Sequence, residues 1–183
     1  MKKFLIILFL FLSSTIVLAA ESPRWVSQPI SVYFPQYGNF TPLMKKAFAS
    51  WQHYSKNLVR FQYVNNPNNA QIQVEFVDFV TNCSSNNHTV GCTQLAIRGK
   101  NFYRSFITIG TKEYAKVYSN GLYKSKLQYR QKKNIYGVML HEVGHALGLE
   151  HSKNDKSIMF PYDLPTLQYL TKDDLSLLYK KYH

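Results

Sequence analysis

Acidic side chains are scarce in this chain: 10 Asp and Glu stand against 22 Lys and Arg, a formal net charge of +12. Between Asp78 and Glu142 the only carboxylate is Glu113. Calcium takes several hard oxygen ligands, preferably anionic, so that stretch offers no calcium site. Cysteine is as scarce, with Cys83 and Cys92 alone. In an exported protein an even pair reads as a disulfide closing a short loop, contributing about 2 to 3 kcal/mol if unstrained. Two free thiols remain open, as does a second metal half-site with His88, although that set is short of ligands. Internal repeats and low-complexity linkers are absent, and after residue 20 no run is apolar enough to span a bilayer. No recognisable nucleic-acid module accompanies the positive charge, which leaves specific nucleic-acid binding unsupported.

The N-terminus supplies the one long apolar run. Lys2 and Lys3 precede Phe4 to Leu12, and Ala19 and Ala20 offer a small-residue cleavage site, so residues 1–20 read as a secretory signal peptide. An uncleaved anchor is the alternative, but the run is short for a span and Ser13, Ser14 and Thr15 interrupt it. The mature chain, 21–183, is then expected outside the cytoplasm, secreted or periplasmic, as one domain large enough for a real core.

What the sequence does have is His141-Glu142-Val143-Gly144-His145-Ala146-Leu147-Gly148-Leu149-Glu150-His151. Two histidines four apart on a helix share a face, so their imidazoles can converge on one ion. Gly148, as a left-handed helix terminator, lets the chain turn and bring His151 back to the same ion. Three neutral nitrogen donors and an open position suit a catalytic zinc, whereas four protein ligands would make a structural one. Glu142 adjoins a ligand without being one, which is where a general base reaches activated water. A helix carrying three solvated histidines is the bland alternative, and the added requirement for Gly148 and His151 weighs against it.

Continued by Ser157-Ile158-Met159-Phe160-Pro161, the stretch resembles the zinc signature and Met-turn of the metzincin endopeptidases, most closely the matrixin (matrix metalloprotease-type) branch. Pro161 helps choose the branch, because astacin-like and serralysin-like members place a zinc-approaching tyrosine there. The resemblance implies an α+β zincin fold: a twisted mixed five-stranded sheet with three helices and the zinc site on the second helix. It implies one catalytic Zn2+ on His141, His145 and His151, with Glu142 as catalytic base and Met159 as a packing floor. Phe160, Pro161 and Tyr162 are expected to line the specificity pocket, although Pro161-Tyr162-Asp163 departs from the usual Pro-x-Tyr.

Two further departures matter. Matrixins usually carry a glycine- and aspartate-rich loop with extra histidines for a structural zinc and calcium. This chain lacks that loop, so neither ion is expected. Matrixins with a prosegment hold a cysteine on the zinc, but no such cysteine precedes this catalytic region, so activity without zymogen cleavage is expected.

The remaining elements follow from patterning. Thr41 and Pro42 read as a helix start, with Met44, Ala47, Phe48, Trp51 and Tyr54 as its core stripe and His53 off that stripe. Strands are expected at 30–34, 58–64, 70–77, 90–97 and 102–109, the fourth being, by resemblance, the edge strand beside the cleft. The active-site helix is expected to begin between Gln131 and Asn134, and Thr171 to Asp174 resemble a capping box before a final helix. The segment Arg98 to Lys133 holds ten Lys and Arg against one acid, either a solvated face or an attraction to an anionic surface. The expectation is a secreted monomeric zinc endopeptidase acting on proteins or peptides. Its rivals are a non-catalytic zinc binder, which has no need of Glu142, and an anionic-surface binder using residues 98–133.

Overall fold

In the computed structural model of this chain, residues 22–83, 89–119, 122–161 and 167–183 are described. Residues 1–20, read above as a signal peptide, His88 and Tyr162 lie outside them. Among the described residues, no helix is long and apolar enough to cross a membrane.

Five strands make the main sheet: β1 (Ile30–Tyr33), β2 (Phe61–Val64), β3 (Ile72–Val77), β4 (Gly91–Arg98) and β5 (Asn101–Gly110). Their spatial order is β2-β1-β3-β5-β4, parallel except where β4 runs antiparallel to β5. β4 therefore lies at an edge, as the family resemblance implied. In β3 the alternation seen in the sequence becomes two faces: Ile72, Val74 and Phe76 are buried while Gln71, Gln73 and Glu75 are not. The mixed sheet and three helices match the expected α+β architecture.

The helices are α1 (Phe40–Tyr54), α2 (Lys132–Ala146) and α3 (Lys172–Tyr182). Met44, Ala47, Phe48 and Trp51 on α1 are fully buried, each large side chain contributing about 1.5 to 3 kcal/mol through lost apolar surface. α2 packs between α1 and the β4–β5 edge. Two indoles tie this core to α2: Trp51 Nε1–H donates to the Leu140 carbonyl at 2.9 Å and Trp25 Nε1–H to that of Ala146 at 2.7 Å. Ala146 sits in the last turn, where carbonyls lack intrahelical partners, so Trp25 satisfies an otherwise orphaned acceptor.

Two expectations need correction. The α1 N-cap is Asn39, not Thr41, because the Thr41 hydroxyl is engaged by the preceding loop, accepting Tyr37 N–H at 2.8 Å and donating to Pro35 O at 2.6 Å. Pro42 is still tolerated, since the first turn's N–H groups have no acceptor within the helix. Tyr54 is exposed rather than core: it ends the helix beside His53, beyond the reach of the sheet.

Part of the basic segment, to which the sequence assigned no element, forms a separate two-stranded ribbon of β6 (Lys112–Ser119) and β7 (Leu122–Tyr129) between β5 and α2. Neither of its faces is dry, so no buried-exposed alternation marked it as strand.

Candidate metal centre

His141 and His145 lie one helical turn apart on α2. Their Nδ1 atoms are 2.6 Å from the Ile158 carbonyl oxygen and 2.8 Å from that of Leu149. A carbonyl can only accept, so in each ring Nδ1 carries the proton and Nε2 keeps its lone pair. Those two Nε2 atoms are 2.9 Å apart. Bare lone pairs at that separation repel each other unless a cation is shared between them. His151 completes the group, with one ligand nitrogen from each of the three rings within 4.8 Å of the others.

Burial drives His145 down to about 4, with His141 and His151 adding repulsion, and it lowers His141 as well. Both rings are thus neutral at ordinary pH, the state a metal requires. Three converging imidazoles, those of His141 and His145 oriented by hydrogen bonds on their far nitrogens, fit zinc.

Backbone geometry brings the third ring in. α2 ends at Ala146 with Leu147 as its C-cap, and Gly148 takes φ +86, the left-handed conformation expected of it. Its N–H donates to His145 O at 2.7 Å, while Leu149 N–H reaches Gly144 O at 3.0 Å. A β-carbon at Gly148 would also run into Lys181 and Phe102.

Glu142 is 5% exposed and lines the same cleft, of about 900 Å³, as the three histidines. Burial lifts its carboxyl to about 7, opposed by a hydrogen bond that Thr93 Oγ1 donates to Oε2 at 2.7 Å. Thr93 lies on β4, so the edge strand itself orients this side chain. So does Gly91: a β-carbon there would lie 2.5 Å from Glu142 Oε1 and 2.6 Å from its Cγ.

Met159 is fully buried beneath α2, its sulfur against Gly144, where a β-carbon would overlap it. Its turn is fastened by Asp174, also fully buried, whose carboxylate accepts from the Ser157 hydroxyl, from Ile158 N–H at 3.2 Å and from the Thr171 N–H and hydroxyl at 2.7 Å each. Because the Ile158 carbonyl holds His141, the capping box of α3 is coupled to that ring through the backbone of one residue, Ile158. The sequence showed the capping box but not this second duty, and Thr93 and Gly91 left no sequence signal at all.

Phe160 and Pro161 line the cleft. Cys83 and Cys92 form a disulfide with Cα atoms 6.0 Å apart. Neither cysteine is free, which removes the half-site alternative.

Comparison with known proteins agrees with this geometry. The Matrixin family model of peptidases (Peptidase_M10) matches residues 36–183. A putative matrix metalloproteinase of Trichoplusia ni ascovirus 2c is 30% identical over 146 residues, 75% of this chain and 27% of the viral protein. Macrophage metalloelastase of Rattus norvegicus is 44% identical over 52 residues, 27% of this chain and 11% of that protein. Human matrix metalloproteinase-26 is 42% identical over 52 residues, 27% of this chain and 20% of its own length. The chain thus spans about a quarter or less of the curated relatives just named. With the family model covering most of its length and the histidine cluster formed, the chain belongs to the matrixin family.

Proposed function

We propose that this protein is a zinc-dependent endopeptidase that hydrolyses peptide bonds in other proteins at the cleft between β4 and α2. The observation that carries the reading is the convergence of three imidazoles beside a buried carboxyl held by Thr93. His141, His145 and His151 would hold the ion. When bound there, zinc supplies Lewis acidity towards a carbonyl oxygen and makes water nucleophilic near neutral pH.

Glu142 does the proton work. As general base its carboxylate takes the proton of the attacking water, and as acid it returns that proton to the departing amine. A group whose protonated and ionised forms lie close in energy suits both halves of that exchange, and burial brings Glu142 to about 7. β4 supports substrate binding because, among the described residues, its outer edge has no strand partner, so an extended peptide can add to the sheet through main-chain hydrogen bonds. That mode tolerates varied sequence and leaves preference to the pocket beside Phe160 and Pro161. Export, directed by residues 1–20, would place the enzyme outside the cytoplasm.

The test is cleavage-site profiling on a denatured proteome digest, with and without chelator, for the wild type and Glu142→Ala. Hydrolysis that chelator abolishes is the expected result. The variant should keep its zinc and its melting temperature while losing about 10²- to 10⁴-fold in rate. Turnover near the wild-type rate in pure Glu142→Ala overturns the role given to this residue, and no turnover by the zinc-loaded wild type overturns the peptidase reading.

A further inference from the structure

The β6–β7 ribbon stands apart from the main sheet. Its strands pair along their whole length, from Lys112 opposite Tyr129 to Ser119 opposite Leu122, and join no strand of the main sheet. Contacts with the body occur at its base. There Phe79 stacks on Tyr114 with centroids 5.6 Å apart, Phe40 meets Tyr129 at 6.0 Å, and Lys112 pairs with Asp78 at 2.7 Å. Glu113, the ribbon's one acid, is tied to Arg130 at 3.2 Å.

Away from the base the side chains face water on both sides. Tyr118 is 64% exposed, Leu122 65% and Tyr123 75%, and Val117 is exposed as well. Opposed residues share a face, so Tyr118 and Tyr123 lie on one side, with Lys116, while Val117, Leu122, Lys124 and Lys126 lie on the other. Among the described residues, Lys116, Lys124 and Lys126 form no ion pair.

This distribution selects a partner. A protein docking flat on the ribbon would want one apolar face and one wet one, yet here both faces carry apolar groups and cations. A soluble polyanion would use the lysines and stack on the tyrosines, but it would leave Leu122 and Val117 in water. A bilayer interface accommodates all three kinds. Tyrosine settles at headgroup depth, aliphatic side chains enter the acyl boundary, and lysine meets anionic headgroups. A ribbon entering end-on is surrounded on both sides, which matches two apolar-bearing faces at one end.

We propose that the β6–β7 ribbon docks the protein on anionic phospholipid bilayers by its distal end, with Tyr118, Leu122 and Tyr123 entering the interface and Lys116, Lys124 and Lys126 contacting headgroups. The ribbon lies in the chain between β5 and the zinc-binding helix, so docking would concentrate the catalytic domain at a membrane surface. The inference does not depend on peptidase activity.

Co-sedimentation of the zinc-loaded protein with phosphatidylcholine vesicles, alone or mixed with phosphatidylglycerol, tests it. Binding to the mixed vesicles should exceed binding to phosphatidylcholine alone and should weaken as salt is raised. Each cation near an anionic surface gives about fivefold in partition, so Lys116→Glu/Lys124→Glu/Lys126→Glu should lose on the order of a hundredfold or more. The charge-preserving variant Tyr118→Ser/Leu122→Ser/Tyr123→Ser should lose at least about tenfold, because the apolar contribution is gone. Unchanged melting temperatures would show that both variants are folded.

Binding to neither vesicle, equal binding to both, or wild-type binding by the lysine variant overturns the proposal. So does wild-type binding by the apolar variant, since attraction to any polyanion would then suffice.

Discussion

The metal centre and the β6–β7 ribbon adjoin in the chain but are built by opposite rules. Around His141 and His145 each described polar contact has a tertiary partner: Ile158 and Leu149 hold the imidazoles, Asp174 holds the turn carrying Ile158, and Thr93 holds Glu142. Small residues complete the fit, with Gly144 admitting the Met159 sulfur and Gly91 admitting the Glu142 carboxyl. In the ribbon, most side chains beyond the base meet only solvent or each other, as Tyr118 and Tyr123 do at 5.1 Å. A two-stranded ribbon with no covered face is marginal alone, so its order depends on the packed residues at its base. One region fixes geometry and the other presents chemistry, and substitutions in the two should therefore cost very different amounts.

The largest expected effect lies in the buried carboxyl of the metal-free protein. Burial raises Glu142 from the ordinary 4.5 to about 7. A raised carboxyl favours folding fully while it is protonated, below its unfolded value, and that contribution is lost as pH climbs through about 7. The full difference is about 3 kcal/mol. In chelator, Glu142→Gln should thus unfold at higher urea than the wild type at pH 8, by an amount that shrinks towards pH 4. A gain of equal size at both pH values would mean that ionisation of this group is not resisted by the fold.

Gly91→Ala probes the same carboxyl sterically. The added methyl would lie 2.5 Å from Oε1 and 2.7 Å from Val138 Cγ1, so the side chain of Glu142 must move. Misplacing a reacting group by about an ångström costs on the order of a hundredfold, so kcat/KM should fall by that much with zinc content unchanged. Full activity in this variant would show that the β4 backbone does not set the base's position.

Such contacts mark the boundary of what was legible in the sequence. The three histidines, Glu142 and Gly148 were readable because coordination and the helix exit demand particular residue types at fixed spacing, and Met159 through the family resemblance. The strands of the main sheet were readable through alternation, and their ends shifted by a few residues where turn contacts decide. Gly91, Thr93 and Asp174 were not, since each acquires its role only when distant segments meet: Thr93 and Glu142 are 49 residues apart, and Ser157 and Asp174 are 17. The ribbon escaped for the reverse reason, because lysines on both faces and exposed tyrosines on one leave no periodic dry stripe to detect. Charge identified the segment without revealing its shape.

Thr93→Val keeps the packing volume of the edge strand and removes the hydroxyl from Glu142 Oε2. A buried acceptor that loses one partner costs about 1 to 3 kcal/mol, which here falls on the ionised form of the base. The expected result is about a tenfold drop in kcat with KM nearly unchanged, the acid limb of the pH–rate profile displaced upward, and recovery in Thr93→Ser. Equal losses in the valine and serine variants would indicate a packing role for residue 93 instead of a hydrogen-bonding one.

The smallest effect belongs to the ribbon and completes the contrast. Tyr118→Ser/Tyr123→Ser removes two large rings, yet they are 64% and 75% exposed, so little buried area is lost. Their edge-to-face contact contributes about 0.5 to 1.5 kcal/mol when buried, and exposure to water reduces that. Urea unfolding should shift by no more than about 0.5 kcal/mol, and hydrolysis of a small soluble peptide should stay within about twofold. A loss of several kcal/mol would show that the rings support the fold. The ribbon would then be part of the core's architecture, and its exposed residues could not be read as a surface free to engage a partner.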